Sequence, residues 1–233
     1  MVKIYNQKEI EIMKEGGEKL AFVMAGLKNY LAVGMTHHDI EMKTRELIAE
    51  VGATSGTIGY QTRKADPPFP AATCISVNNH VAHGIGYENE TVLKDGDLVS
   101  LDVIIVWKEM FIDNCRSYIV GTSTPEREKL LECSKEATRE AIKAAVVGNT
   151  TDDIGAAAEA CAKSYGFGTV KELGGHGVGE AIHMDPFVPS FAGSGYAEPL
   201  KEGMILAIEP IVTAGGWRIR LLDDGWTFET KDG

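Results

Sequence analysis

Apolar residues recur at helical spacing in four segments of the chain. The first stripe contains Met13, Leu20, Met24, Leu27 and Leu31; the second contains Ile40, Leu47, Ile48 and Val51. A third begins at Thr124-Pro125 and runs through Leu130, Leu131, Ala137, Ala141 and Ala145; the fourth contains Ile154, Cys161, Ala162 and Tyr165. Intervals of three and four residues place such side chains on one face of a helix. The pattern predicts four amphipathic helices.

The second and fourth helices belong to an internal repeat. Residues 33–52 and 147–166 share Val, Gly, Thr, Asp, Ile and a closing Gly at one constant offset. In each copy a threonine, Thr36 or Thr150, precedes the helix and an aspartate follows three residues later, as in a capping box. The repeat predicts two related halves, each starting with a pair of helices.

Strand patterns follow the helices in both halves. Residues 97–107 and 110–120 flank Lys108-Glu109 and predict a hairpin, and residues 203–213 predict the counterpart strand in the second half. The predicted fold is α+β, with paired helices over a shared curved antiparallel sheet. We expect one domain over residues 1–233, built from half-repeats of about 7–121 and 122–233.

Composition narrows the class of protein. The formal net charge of −11 and the lack of a basic run disfavour nucleic-acid binding. No apolar run approaches the ~20 residues of a membrane span, and the first residues lack the apolar stretch of a secretory signal. We therefore expect a cytoplasmic protein. The four cysteines have no CxxC spacing, which predicts free thiols.

Three carboxylates lie in strongly apolar stretches. Asp102 lies in "LVSLDVIIV", Asp113 in "MFIDNC" and Glu209 in "MILAIEPIV". A buried carboxylate is costly unless it is paired or bound to a metal. Each could be a strand-end acid facing solvent or half of an ion pair, but together they favour one cation site.

Three histidines lie in unusual surroundings. His83 and His176 each precede glycine, and His183 follows seven residues after His176. Glycine lets a ligand or a metal approach the backbone closely. The alternative is a histidine with a structural hydrogen bond. His80 is expected at the surface, and His37 and His38 are expected to be exposed in the first turn of a helix.

In order along the chain, the motifs resemble those of one family, the methionine aminopeptidases. They are "HGIG", "DGDLVSLDV", "FIDNCRSYIVG", "GGHGVG", "AIHMDP", "LAIEP" and "DGWTFETKDG". The resemblance covers essentially the whole chain and implies the pita-bread fold, whose duplicated halves agree with the repeat. The short interval from His183 to Glu209 resembles the short bacterial type I enzymes.

The resemblance implies a metal site and a mechanism. Asp102, Asp113, His176 and Glu209 would bind two divalent ions, or one if a ligand is lacking. Glu209 would also be the general base toward a bridging hydroxide. This ligand set favours Mn, Fe, Co or Zn, without selecting one.

The resemblance also implies a substrate site. His183 would hydrogen-bond the substrate carbonyl, and His83 would contact the scissile amide. The walls of the methionine pocket would be Tyr60, Phe69, Cys74 and Trp226. Where the family usually has an aromatic residue before the second histidine, this chain has Ile182. The expected partner is the N-terminal peptide of a nascent protein, with the ribosome as a candidate partner and a monomer as the expected state.

The last residues carry a further expectation. Lys231-Asp232-Gly233 is typical of a turn, and the family's fifth ligand, a bridging glutamate, would follow a few residues later. A chain without that glutamate is expected to bind metal poorly and to have reduced activity. The alternatives are a metal-poor peptide- or protein-binding module and an Xaa-Pro-type peptidase.

Overall fold

The structure is a computed structural model that describes residues 2–231. Asp232 and Gly233, for which the sequence predicted a turn, lie outside the described residues. The chain forms two compact units. The first unit comprises Glu11–Thr124 and Arg220–Glu229; the second unit comprises Met1–Ile10, Pro125–Ile219 and Thr230–Gly233.

The predicted elements are present, with differences at the ends of some strands. The helices are α1 (Gln7–Tyr30), α2 (His37–Glu50), α3 (Pro125–Ala144) and α4 (Thr151–Ser164). The strands are β1 (Thr54–Ser55), β2 (Thr73–Val77), β3 (His80–Ala82), β4 (Leu98–Trp107), β5 (Met110–Ile119), β6 (Gly168–Thr169), β7 (Gly175–Gly177), β8 (Met184–Val188), β9 (Leu206–Ala207), β10 (Val212–Thr213), β11 (Ile219–Leu221) and β12 (Phe228–Thr230). No helix within residues 2–231 is long and apolar enough to cross a membrane.

Both repeated helices begin with the predicted capping box. The Thr36 hydroxyl accepts a hydrogen bond from Asp39 N at 3.0 Å, and Thr36 N donates to the Asp39 carboxylate at 2.9 Å. Thr150 and Asp153 form the same pair at the start of α4. Each box satisfies backbone donors that would otherwise lack a partner at the helix start.

The first unit is organised around β4. Strand β5 pairs along one edge of β4, and β1 and β2 pair along the other; a separate sheet has the order β11-β12-β3. The β4–β5 turn lies at Lys108 and Glu109, whose φ angles of 48° and 67° are left-handed. Such angles at both central residues match the twist of a two-residue hairpin. The predicted hairpin is confirmed.

The second unit packs α3 and α4 over short strands. Its core contains Ala141, Ile154, Ala158, Val188 and Leu200. The strands form one sheet in the order β8-β7-β9 and a β10–β6 pair. The described strands therefore pair in four sheets.

The long strand predicted for residues 203–213 is wrong. Only β9 and β10 are strands there, and Glu209 and Pro210 lie between them. Proline has no N–H to donate, so it interrupts a strand ladder. The stretch is largely apolar, but regular strand structure is interrupted at Glu209 and Pro210.

Candidate metal centre and substrate pocket

Asp102 and Asp113 project from the same face of the β4–β5 hairpin. Asp113 is directly opposite Ile104, which shares a face with Asp102 because alternate residues of a strand point the same way. The other face of β4 is its buried one, where Val99, Leu101, Val103 and Ile105 have no exposed surface. The hairpin thus separates an apolar face from a face with two carboxylates.

Cysteines flank Asp102 in neighbouring strands. Cys74 on β2 and Cys115 on β5 are both in register with Asp102. Cys74 is buried, whereas Cys115 is exposed. Burial, followed by the charge of Asp102, raises the pKa of Cys74 well above its ordinary value, so the thiol is neutral at physiological pH.

The four residues predicted to line the methionine pocket lie in one cluster of the first unit. Phe69, Cys74 and Trp226 are buried there with Ala71, and Tyr60, Ile85 and Tyr87 pack against them. The ring centroids of Phe69 and Trp226 are 5.2 Å apart and nearly perpendicular. This edge-to-face contact is a favourable arrangement for two aromatic rings.

His83 borders the same cluster. Its ring centroid is 6.4 Å from that of Trp226 and 5.7 Å from that of Phe228. Its φ of 55° is left-handed, which is uncommon outside glycine. The next residue, Gly84, passes so close to the Ile75 carbonyl that a Cβ would clash with it. The glycine therefore allows the turn that presents His83.

His176 lies in the second unit at the centre of the short strand β7. A Cβ on either neighbouring glycine would clash with a backbone carbonyl, so the Gly-His-Gly sequence permits close packing of β7 between β8 and β9. His176 Nδ1 lies 2.9 Å from the Gly177 carbonyl oxygen. A carbonyl oxygen only accepts hydrogen bonds, so Nδ1 carries a proton and donates.

The other nitrogen of His176 faces Glu209. Nε2 lies 3.2 Å from Glu209 Oε1. In the neutral imidazole with a proton on Nδ1, Nε2 can only accept, so two acceptors, Nε2 and Glu209 Oε1, would face each other. A proton on Nε2 or a cation bound between the two atoms removes this repulsion. The Nδ1–H bond to a carbonyl is also how metal-binding histidines are commonly oriented. His176 and Glu209 therefore fit a divalent cation.

His183 lies directly beside His176. Their ring centroids are 4.4 Å apart, with an angle of 67° between the planes. Ile182, at the position of the family's aromatic residue, is buried. The second unit thus brings together His176, His183 and Glu209. Asp113 in the first unit, like His176 and Glu209, offers an atom that could bind a metal.

Comparison with known proteins places these residues in a family. The model of metallopeptidase family M24 matches residues 11–227. The chain belongs to metallopeptidase family M24. The match confirms that the chain is a member of a metallopeptidase family.

Relatives that match over the whole chain are methionine aminopeptidases, which confirms the family resemblance and supports a metal-dependent aminopeptidase. The Aquifex aeolicus protein is 38% identical over 100% of this chain and 90% of its own length. The Clostridium perfringens protein is 37% identical with the same coverage. The methionine aminopeptidase structure from Thermotoga maritima has a TM-score of 0.92 and 34% identity, over 100% of this chain and 90% of its own. The pita-bread fold is confirmed.

A less similar solved structure shows a likeness of fold alone. Prolidase from Pyrococcus horikoshii has a TM-score of 0.71 and 24% identity, covering 89% of this chain and 55% of its own.

Two expectations for individual residues need correction. His37 is not exposed: 3% of its surface is accessible, and Nδ1 lies 3.2 Å from Asn89 Nδ2. The loop that carries Asn89 covers the start of α2. Glu209 is not within a buried strand, since 36% of its side chain is exposed.

Sequence reasoning also missed residues beside the proposed site. Cys115 lies next to Asp102, and the hairpin register could have revealed it. Glu41 on α2 is completely buried, and a lone glutamate in a helix gives no signal of this.

Proposed function

We propose that this family M24 protein removes N-terminal methionine from peptides. The supporting observation is the arrangement of His176, with one nitrogen donating to the Gly177 carbonyl and the other turned to Glu209. Such a pair of donors suits a metal centre, and the similarity to methionine aminopeptidases over the full chain supports the same substrate.

In this proposal, Asp102, Asp113, His176 and Glu209 hold the divalent metal. When bound, the metal would polarise the substrate carbonyl and lower the pKa of water. Oxygen ligands with one imidazole suit Mn, Fe, Co or Zn. The partial exposure of Glu209 gives water access to its carboxylate. Glu209 would accept the proton of the attacking water as general base.

The histidines would act on the peptide bond. His183 would donate a hydrogen bond to the carbonyl oxygen as negative charge develops there. His83, bordering the cluster of Trp226, would hydrogen-bond the departing nitrogen. Neither His83 nor His183 needs to bind metal for its role, whereas His176 is a proposed metal ligand.

The apolar cluster of the first unit would bind the methionine side chain. Tyr60, Phe69 and Trp226 offer aromatic surface, which makes favourable contacts with a thioether sulfur. The buried thiol of Cys74 is neutral and adds no charge to the wall. An uncharged pocket favours an apolar side chain over a charged one.

The physiological setting belongs to the same proposal. The substrates would be N-terminal peptides of nascent proteins, trimmed in the cytoplasm by a monomer, with the ribosome as a candidate partner. The number of ions per chain stays a prediction.

Peptide cleavage tests the function. The purified protein, supplied with Mn²⁺ or Co²⁺, is offered Met-Ala-Ser and Ala-Pro-Ser. We expect release of methionine, with kcat/KM at least about 100-fold higher for the first peptide. His176→Ala is the control, because it removes a proposed ligand and should abolish turnover. Preferential cleavage of Ala-Pro-Ser would indicate an Xaa-Pro peptidase, and binding without cleavage would indicate a binding module.

A further inference from the structure

Glu41 is a completely buried carboxylate on α2. One oxygen, Oε1, accepts a hydrogen bond from Ala72 N at 2.7 Å, and Oε2 accepts one from Thr73 N at 3.0 Å. These two N–H groups immediately precede Cys74. A buried charge requires such partners, because water no longer solvates it. Glu41 therefore fixes the backbone where the chain enters β2.

Arg45, one helical turn later, completes the arrangement. Its Nε lies 2.6 Å from Glu41 Oε1, and its Nη2 donates to the Pro70 carbonyl at 3.0 Å. The guanidinium also lies over the ring of Tyr87, at 4.9 Å. The planar fork of arginine makes these contacts at the same time.

The segment held by this pair forms part of the apolar cluster. Residues 70–73 connect Phe69 to Cys74, and the pair engages three of their backbone groups. On the other side, Phe69 exchanges backbone hydrogen bonds of 2.8 Å with Gly59 and Tyr60. The segment is thus fixed between α2 and the loop that carries Tyr60.

Glu41 also touches the opposite flank of the cluster. A Cβ on Gly86 would lie 3.2 Å from Glu41 Cβ, so the loop after His83 packs directly on this residue. Ile85 and Tyr87, on either side of Gly86, belong to the cluster. One ion pair therefore contacts two of the backbone segments that shape the cluster.

We propose that Glu41 and Arg45 are positioning residues that determine which side chain the pocket accepts. The inference rests on the proposed function, because it takes the cluster as the pocket for the first residue of the substrate. Neither residue touches the substrate. They hold Phe69 and Cys74 on one side and Ile85 and Tyr87 on the other. Releasing the segment would change the pocket's shape while leaving the metal ligands in place.

The test is Glu41→Gln, which keeps the size of the side chain and removes its charge. Peptides beginning with Met, Leu and norleucine are compared, with metal content measured in parallel. We expect KM for the Met peptide to rise about tenfold and kcat to stay within about twofold, with weaker discrimination between Met and Leu. Calorimetry with methionine amide should show weaker binding by a similar factor.

Glu46→Gln is the matched control. It makes the same change on the same helix, but Glu46 is 64% exposed and pairs with Lys43. Its kinetics should equal those of the wild-type protein. If Glu41→Gln does not fold, Arg45→Lys is tested in its place by the ratio of kcat/KM for the Met and Leu peptides. Lysine cannot bond to Glu41 and to the Pro70 carbonyl at the same time in the way the planar guanidinium does.

Two results would overturn the inference. One is a folded Glu41→Gln protein with unchanged KM and discrimination. The other is a loss of kcat together with metal, which would connect Glu41 to the metal centre. Failure of the proposed function looks different, because the wild-type protein would then not release methionine. If another first residue is released instead, an altered ranking of side chains in Glu41→Gln still supports the inference.

Discussion

His176 and His183 lie ring against ring, yet their surroundings differ. His176 is buried, donates through Nδ1 to a backbone carbonyl and turns Nε2 to a carboxylate. His183 precedes Met184, the first residue of β8, and follows the buried Ile182. Two adjacent imidazoles can therefore serve different purposes, one toward a cation and the other toward the substrate.

We predict that alanine substitutions at both positions lower activity but differ in their effect on bound metal. His183→Ala should lower kcat by about 10²–10³-fold and retain bound metal, because it removes the hydrogen-bond donor to the substrate carbonyl oxygen. His176→Ala should lose metal together with activity. Steady-state kinetics and elemental analysis of both variants check this. Equal losses of metal and rate in His183→Ala would contradict the assignment.

His37 is a residue whose burial has a consequence for stability. Burial, followed by the nearby charge of His80, lowers the pKa of His37 below its ordinary value of 6.5; a backbone hydrogen bond at Ile85 and the charge of Asp97 act in the opposite direction. The unfolded chain therefore binds this proton more readily than the folded protein. Stability from His37 is present above pH 6.5 and is lost as the pH falls from there toward the lower folded pKa.

We expect the free energy of unfolding to depend less on pH in His37→Gln than in the wild-type protein. Urea denaturation at several values between about pH 7 and pH 5 measures this slope. His38→Gln is the control, since the adjacent histidine is only partly buried. Parallel slopes for the wild-type and His37→Gln proteins would refute the prediction.

The location of a side chain could be predicted where the residue belongs to a family motif. It could not be predicted where packing against distant segments determines burial. Cys74 and Trp226 were assigned to one wall from the family resemblance, and they do lie in one cluster. The burial of His37 and Glu41 depends on residues 70–73 and 85–91, which fold over α2 from distant positions. Helical periodicity alone does not show which polar residue such a loop will cover.

At the scale of elements, the two capping boxes offer a comparison within one chain. Each threonine accepts from the N–H of an aspartate three residues later, and each precedes a helix of 14 residues. We predict that Thr36→Ala and Thr150→Ala each lower stability by about 1 kcal/mol. Chemical denaturation measures the loss. Serine at the same positions should preserve stability, and an alanine variant without any loss would show that its box is dispensable.

The success of the element predictions followed the strength of local signals. The β4–β5 hairpin has long apolar strands and a two-residue turn, and its bounds were predicted to within one residue. The stretch 203–213 has an equally apolar sequence but contains Pro210. The short strands β9 and β10 in this stretch pair with β7 and β6, respectively. Such strands depend on tertiary contacts that the local sequence pattern does not reveal.

At the scale of the molecule, the resemblance predicted the family and the fold, and similarity over the whole chain confirms both. The half-repeats of about 7–121 and 122–233 stay a prediction. The two compact units consist mainly of Glu11–Thr124 and Pro125–Ile219, and Arg220–Glu229 joins the first unit from a distant position in the sequence. Strand β12 reaches the first unit by pairing with β3. Long-range pairing of this kind depends on tertiary structure, and a local repeat gives no signal for it.

The late position of residues 220–229 has a consequence for the order in which the protein matures during synthesis. Trp226 follows Cys74 by 152 positions, so the ribosome releases most of the first unit long before the tryptophan exists. The emerging chain can form the β4–β5 hairpin early, since its contacts are local. The apolar cluster stays open until Trp226 has been synthesised. The cluster would thus gain Trp226 only after the other residues of its wall have been synthesised.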